Sequence, residues 1–277
     1  MRNAVEWGIS TFTYPWAFGI PGYLPRKTLT LPELVERAVV LGARAVQIAH
    51  NVPLHTVTRE ELEAVKDLAR RNHILLEVGT IGVEKESLLE YLDLAEFLDS
   101  RLVRTILDEP GKELPLEEAI ARIQEVLPFF SARGVFLAVE NHDRRTTEEF
   151  RKLFAAIPDP YLRFCFDTAN SLGAFENPRE VLREFSSRTI NVHLKDVDVF
   201  RPSHGLGFII EGRPLGKGRL GINWVFAALA NTEGVTYIIE LLTPFFGSVE
   251  ETVRREEEWA YESAQFLKSF LGGGAKT

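Results

Sequence analysis

VFLAVENHDRRTTEEFRKLFAAIPDPYLRFCFD, from Val135 to Asp167, carries the pattern that predicts the fold. The runs VFLAVEN (Val135–Asn141) and LRFCFD (Leu162–Asp167) are short and mostly apolar, which is typical of buried strands. Between them, Thr147–Ala156 spaces its apolar residues as a helix does. Two such strands joined through a helix are typical of a parallel βαβ unit.

The same alternation extends along the chain in both directions. The predicted strands are Trp7–Tyr14, Ala45–His50, Ile74–Thr80, Leu102–Asp108, Val135–Asn141, Leu162–Asp167, Thr189–Lys195 and Val235–Leu242. The predicted helices are Leu31–Leu41, Arg59–Arg71, Glu86–Leu98, Leu116–Phe129, Thr147–Ala156, Arg179–Glu184, Asn223–Ala230 and Val249–Phe270. Eight strand–helix units in about 250 residues predict an α/β fold, the (β/α)8 TIM barrel, with a doubly wound open sheet as the alternative. We expect one domain over residues 1–271 and a disordered tail, GGGAKT, over residues 272–277.

Composition narrows the classes of partner. The 277 residues are 45% hydrophobic and 26% charged, as in ordinary globular proteins, and 32 Lys and Arg against 40 Asp and Glu give a net charge of −8. An acidic surface repels phosphate backbones and anionic lipid, so neither nucleic acid nor membrane is an expected partner. Cys165 is the only cysteine, which excludes an internal disulfide. Without a recognisable signal peptide, a cytoplasmic location is expected, and a homo-oligomer remains open.

Acidic and imidazole side chains follow the apolar runs of four neighbouring strands. They are Glu140, Asp167, His193 and Glu240. Since active sites of such barrels lie at the carboxyl ends of the strands, we expect these groups to converge. Three carboxylates and one imidazole suit one divalent metal ion, Mn2+, Mg2+ or Co2+, with Zn2+ also possible. The alternative is a set of salt bridges to Lys195, Lys217 or arginines of the barrel.

Five motifs carry a resemblance to a known family. They are AVENHD (Ala138–Asp143), CFDTANSLG (Cys165–Gly173), NVHLKD (Asn191–Asp196), PLGKG (Pro214–Gly218) and YIIELL (Tyr237–Leu242). In order and spacing they resemble the xylose isomerase-like sugar phosphate isomerase/epimerase barrels. The resemblance implies one divalent metal ion held by the four residues above. It also implies that the two glutamates, Glu140 and Glu240, are catalytic and move protons.

Two positions depart from the sugar epimerases of that family. The epimerases have a His three residues after the Asp and an Arg soon after the metal-binding His, where this chain has Asn170 and Lys195. The stretches are more similar to isomerase-like and inosose dehydratase-like branches. The expected function is an isomerase or epimerase of a small sugar, sugar phosphate or keto-polyol through an enediolate intermediate. The alternative is a lyase, inosose dehydratase-like or 3-dehydroshikimate dehydratase-like, which uses the same intermediate.

Further polar and aromatic residues near strand ends are candidates for binding the polyhydroxy carbonyl substrate. They are Trp16, His50, Glu77, His142, Asn170, Lys195 and Lys217. Five of the seven have a structural alternative: packing in a loop for Trp16, a surface position for His142, a salt bridge for Lys195, and a buried hydrogen bond for Glu77 or His50.

The connection between Lys195 and Ile222 is unusually long and rich in glycine. A connection of this length on the active-site face predicts a lid over the substrate, and irregular surface is the alternative. Its segment Gly216–Gly221 matches GxGxxG but follows no clear strand–turn–helix order, which argues against a dinucleotide site. Lys217 and the glycine amides could instead bind the phosphate of a sugar phosphate.

Overall fold

The computed structural model describes residues 5–109 and 111–272. Eight parallel strands close into a barrel in the order β1, β10, β7, β6, β5, β4, β3 and β2, and a separate antiparallel pair is formed by β8 and β9. The strands are β1 (Glu6–Ser10), β2 (Ala45–Ile48), β3 (Leu75–Gly79), β4 (Leu102–Thr105), β5 (Phe136–Glu140), β6 (Leu162–Asp167), β7 (Thr189–Leu194), β8 (Asp196–Phe200), β9 (Ile209–Arg213) and β10 (Thr236–Ile239). The predicted (β/α)8 TIM barrel is therefore confirmed.

The helices cover the outside of the barrel. Among the described residues they are α1 (Pro15–Phe18), α2 (Leu31–Leu41), α3 (Arg59–Arg71), α4 (Lys85–Phe97), α5 (Leu116–Arg133), α6 (Thr147–Ala156), α7 (Pro178–Phe185), α8 (Asn223–Ala228) and α9 (Val249–Gly272). The predicted bounds of α2, α3 and α6 agree with the structure because each begins at a threonine whose side chain accepts a backbone N–H of the first turn. Helix α9 includes Gly272, where the tail was expected to begin; residues 273–277 lie outside the described part.

The first strand is shorter than predicted. The hydroxyl of Ser10 accepts the N–H of Phe12 at 2.9 Å, and the N–H of Ser10 donates to Oγ1 of Thr13 at 2.8 Å. These bonds close a 3-10 turn over Thr11–Thr13, so the strand ends at Ser10 although β-branched and aromatic residues continue.

The long connection after Lys195 contains regular structure that the sequence did not reveal. Strands β8 and β9 form a hairpin, and its loop exposes Leu206 and Phe208. The hairpin packs closely on the residues after β10, because a Cβ atom at Gly212 would overlap the carbonyl of Leu242. The alternative of an irregular surface is therefore wrong over β8 and β9, and the lid stays a prediction.

The apolar core lies between the barrel and its helices. Side chains of Leu34, Leu92, Phe130 and Leu267 are fully buried there. At about 25 cal/mol per Å2 of apolar surface removed from water, burial in this layer is the main source of stability. Within residues 5–109 and 111–272, no helix has the length and apolar character needed to cross a bilayer. The barrel interior, in contrast, is rich in buried polar groups toward the carboxyl ends of its strands.

Candidate active site

Four side chains meet at the carboxyl ends of adjacent barrel strands, as the sequence predicts. Glu140 ends β5, Asp167 ends β6, His193 lies near the end of β7, and Glu240 directly follows β10. The register pairs Asp167 with His193, so the two side chains enter the barrel at the same level. All four are at most 1% exposed. Burying this much negative charge is costly unless cations neutralise it.

The donor atoms surround one point. Nδ1 of His193 lies 3.3 Å from Oε2 of Glu140 and 3.5 Å from Oε2 of Glu240. The same nitrogen lies 3.9 Å from Oδ2 of Asp167. Two donors held about 2.1 Å from a common ion at right angles are roughly 3 Å apart, so this spacing suits a divalent cation. Nδ1 of His193 also lacks a hydrogen-bond partner among the described residues, and the donor set therefore fits a metal ion.

Two buried cations contact the same carboxylates. The guanidinium of Arg104, on β4, forms an ion pair with Oε2 of Glu140. Nζ of Lys195, just after β7, lies 2.6 Å from Oδ2 of Asp167 and 3.2 Å from Oε2 of Glu240. The alternative predicted for these residues was a set of salt bridges to Lys195 or to barrel arginines. Such salt bridges are present in the carboxylate cluster. Arg104 and Lys195 neutralise part of the acidic charge.

These contacts set the protonation states of the two glutamates. Burial alone would raise the pKa of Glu140, but Arg104 and His193 outweigh it and hold the pKa well below its ordinary value. Burial also acts to raise the pKa of Glu240, and His193 and Lys195 bring it below its ordinary value. Both glutamates are therefore carboxylates at neutral pH.

The pKa values of two basic groups, Lys195 and His50, are shifted in opposite directions. Burial would lower the pKa of Lys195, but Asp167 and Glu240 outweigh it and raise the pKa above its ordinary value. Lys195 is therefore an ammonium ion at neutral pH. Burial and the nearby Arg104 lower the pKa of His50 to about 3, so its imidazole is neutral. Lys195 can therefore offer a positive charge to a ligand, whereas His50 can offer only hydrogen bonds.

Neutral hydrogen-bond donors fix the remaining oxygens of the cluster. Nδ2 of Asn170 donates to Oε1 of Glu140 at 2.9 Å, and the hydroxyl of Ser10 donates to Oε1 of Glu240 at 3.1 Å. Oδ1 of Asp167 accepts the backbone N–H groups of Ala169 and Asn170 at 2.8 and 2.9 Å. Each acid therefore has one oxygen held by the protein and a second directed toward the shared centre.

The remaining residues predicted to bind substrate are not part of the carboxylate cluster. Nδ1 of His50 is 3.0 Å from Nη1 of Arg104, at the edge of the site. His142 is partly buried in the loop after β5. Trp16 lies on α1 and packs against the residues after β10, since its indole N–H donates to the carbonyl of Thr243 and its ring stacks on Phe245. Glu77 is buried within the barrel and is connected through Gln47 to Nε2 of His193, whereas the carboxylate cluster faces Nδ1.

The predicted phosphate role of the glycine amides was wrong. The N–H groups of Gly216 and Gly218 both donate to Oδ2 of Asp196 at 3.0 Å, and that of Leu220 donates to Oδ1 at 3.1 Å. The carboxylate of Asp196 occupies the place where a phosphate would need these donors. Lys217 itself is exposed on this loop.

Sequence reasoning missed several residues of the site, above all Arg104 and Gln47. Both lie inside predicted strands, LVRTILD and AVQIAH, and were counted there as parts of apolar runs. The signal that could have found them is a charged or amide residue inside an otherwise apolar strand, which must have a partner once buried.

Comparison with known proteins supports a family assignment. A family model described as xylose isomerase-like TIM barrel matches residues 35–270. A 3-oxo-isoapionate decarboxylase of Pectobacterium atrosepticum is 31% identical over 261 residues, which cover 94% of each chain.

Solved structures show the same architecture. D-psicose 3-epimerase of Clostridium cellulolyticum H10, solved with D-tagatose, has a TM-score of 0.73 at 16% identity and covers 96% of this chain and 99% of its own. A xylose isomerase-like TIM barrel protein of Mycobacterium smegmatis, in complex with magnesium, has a TM-score of 0.67 at 12% identity, with coverage of 95% and 97%. At these identities the likeness is one of fold alone.

Proposed function

We propose, from the premise that the chain belongs to the xylose isomerase-like TIM barrel family, that the protein is a divalent-metal-dependent lyase that removes CO2 from a small polyhydroxy 3-oxo acid. The observation that carries this proposal is the pair of buried cations, Arg104 and Lys195, held against the carboxylates of the site. The decarboxylase relative supports it, because its name describes the removal of a carboxyl group from a 3-oxo acid.

The metal ion would be held by Glu140, Asp167, His193 and Glu240, whose donor atoms share one centre. A bound divalent ion at this place supplies Lewis acidity toward a carbonyl oxygen of the substrate. Carboxylate-rich donors favour Mg2+ or Mn2+, while the imidazole also permits Co2+ or Zn2+.

Loss of CO2 breaks the bond between the carboxylate carbon and the α-carbon of the 3-oxo acid. The bonding electrons pass into the carbonyl group to give an enolate, which is an enediolate where the α-carbon carries a hydroxyl. One proton added to that carbon completes the ketone product. We assign the proton to the ammonium group of Lys195, which lies beside the carboxylate oxygens of the cluster and is 8% exposed.

Decarboxylation agrees with the surroundings of the two glutamates, Glu140 and Glu240. An epimerase needs one glutamate free to remove a proton from carbon, whereas Oε2 of Glu140 and Oε2 of Glu240 are each paired with a buried cation, Arg104 or Lys195. Decarboxylation needs no base, so Glu140 and Glu240 serve as metal ligands only. Asn170 orients Glu140, and we assign the binding of substrate hydroxyl groups to His50 and His142.

An isomerase or epimerase of a sugar or keto-polyol is the second candidate. The observation that favours it is the position of Glu140 and Glu240 on two sides of His193, with their Oε2 atoms 3.3 and 3.5 Å from its Nδ1. Two carboxylates facing one centre could remove a proton from one face of a substrate and return it on the other. The same enediolate would then be reached without loss of carbon.

The two reactions are separated by product analysis. Purified protein loaded with Mn2+ is incubated with freshly prepared polyhydroxy 3-oxo acids, and released CO2 is measured. We expect CO2 to be released faster than the spontaneous rate. EDTA should abolish this enzymatic release and leave only the spontaneous rate. Parallel incubations with ketoses and keto-polyols in D2O should show no deuterium in the recovered sugar. Deuterium incorporation without CO2 release would instead establish the isomerase, and an enone product would establish a dehydratase.

A further inference from the structure

A chain of buried hydrogen bonds leads from His193 into the interior of the barrel. Nε2 of His193 lies 2.8 Å from Oε1 of Gln47, on β2. Nε2 of the same glutamine lies 3.1 Å from Oε2 of Glu77, on β3. All three side chains are at most 1% exposed. Buried polar groups of this kind are costly unless every donor meets an acceptor, so the directions of the bonds can be derived.

The carboxylate of Glu77 determines the direction of the chain. As an acceptor it requires donors, and it receives the amide Nδ2 of Asn191 at 2.9 Å and the hydroxyl of Thr236. Oδ1 of Asn191 then faces Nε2 of Gln47 at 3.0 Å. Reversing the amide of Gln47 would bring its oxygen against two acceptor oxygens at once. Gln47 must therefore donate to Glu77 and Asn191 and present its carbonyl oxygen to His193.

The carbonyl oxygen of Gln47 determines which ring nitrogen of His193 carries the hydrogen. An acceptor at 2.8 Å from Nε2 requires the hydrogen to be on Nε2. Sγ of Cys165, 3.6 Å from the same nitrogen, donates to Oδ1 of Asn191, so it offers no competing hydrogen to Nε2. The lone pair of the neutral ring is then on Nδ1, the atom that faces the three carboxylate oxygens.

We propose that Glu77 and Gln47 are positioning residues that hold His193 in the tautomer able to bind a metal ion through Nδ1. Glu77 orients the amide of Gln47, and Gln47 orients the ring. The sequence predicted that Glu77 either binds substrate hydroxyls or orients a metal ligand, and its place behind His193 favours the second role. This inference rests on the metal-binding function proposed above.

Co2+ titration of the purified protein, followed by the visible absorption of the bound ion, provides the test. Gln47→Met removes the acceptor for Nε2, and Glu77→Met removes the acceptor that orients Gln47. We expect both variants to bind Co2+ roughly 10- to 100-fold more weakly, the usual effect of losing a hydrogen-bond partner of a ligating histidine. Thr189→Val is the matched control, because it removes a buried threonine hydroxyl on β7 that donates to the carbonyl of Phe185 and not to Glu77, and it should leave Co2+ affinity close to wild type.

A second readout is independent of the metal. In metal-free protein labelled with 15N-histidine, at a pH high enough for the His193 ring to be neutral, we expect its hydrogen on Nε2 in the wild type and a mixture of tautomers in Gln47→Met. If either single variant fails to fold, the double variant Gln47→Met with Glu77→Met avoids an unpaired buried carboxylate and should bind Co2+ as weakly as Gln47→Met.

Two outcomes would overturn the inference in different ways. Folded variants that bind Co2+ as tightly as wild type, with the hydrogen still on Nε2, would show that the chain serves packing alone. Wild-type protein that binds no Co2+ would refute the metal-binding function itself, and the positioning role with it.

Discussion

The ammonium group of Lys195 lies 2.6 Å from Oδ2 of Asp167, an oxygen that also faces the centre of the carboxylate cluster. A lysine in this position competes with a metal ion for the same carboxylate. It also places a proton donor within reach of any substrate bound at the cluster. In the proposed function, metal binding and proton delivery are linked through this one side chain, and variants can separate the two.

Replacing Lys195 with Met should affect these two properties in opposite directions. We expect tighter binding of Mn2+, because Asp167 and Glu240 lose a competing cation. CO2 release should fall by about 10²- to 10⁴-fold, the usual contribution of a positioned acid. Calorimetric titration and the CO2 assay measure the two effects. Lys152→Met, which alters an exposed lysine on α6, should change neither. Full turnover in Lys195→Met would refute the assigned role.

Metal binding should stabilise the fold through Asp167. An ion that binds only the folded state at 100 times its dissociation constant adds about 2.7 kcal/mol to the free energy of unfolding. Adding Mn2+ should therefore raise the Tm of the wild type, and EDTA should reverse the rise. Asp167→Asn should abolish the metal-induced rise, whereas Asp67→Asn, on the exposed face of α3, should retain it. An equal rise in both variants would argue for binding elsewhere.

The buried ion pair between Arg104 and Glu140 should be essential for stability without metal. Arg104→Met leaves a buried carboxylate without its cation, and we expect a loss of about 3–5 kcal/mol in the free energy of unfolding. Urea denaturation of metal-free protein measures it. Adding Glu140→Gln to Arg104→Met should recover most of the loss, because no unpaired charge remains. A double variant as unstable as the single one would show that Arg104 acts through other contacts.

Glu256 on α9 should make stability depend on pH. It is fully buried and accepts the backbone N–H groups of Trp16 and Ala17, each at 3.0 Å, and burial raises its pKa to about 8. The folded state thus holds a proton that the unfolded state releases near pH 4.5. The free energy of unfolding should fall as pH rises from about 4.5 to about 8, at about 1.4 kcal/mol per pH unit.

The matched variant for that prediction is Glu256→Gln. A glutamine keeps an oxygen acceptor but cannot ionise, so its stability should stay level over the same pH range. Chemical denaturation at several pH values compares the two proteins. Parallel curves for wild type and variant would mean that the two backbone donors keep Glu256 ionised throughout.

Much of the fold could be predicted because its signals are local. Apolar runs such as LRFCFD and threonine caps such as Thr146 act within a few residues, and β6 and α6 were predicted with the bounds the structure shows. The hairpin of β8 and β9 was missed because its stability depends on packing against distant residues such as Leu242. Ser10 ended β1 early through a side-chain bond that hydrophobic pattern does not reveal.

By itself, the sequence determined the barrel and the convergence of Glu140, Asp167, His193 and Glu240, because alternation of strand and helix places every strand end on one face. Only the tertiary structure decided which partners these groups have. Arg104, Lys195 and Gln47 come from different strands, and their effects on charge and hydrogen bonding depend on distances of a few ångströms between residues far apart in the chain. Electrostatic and hydrogen-bond energies change steeply over such distances, and linear spacing carries no record of them.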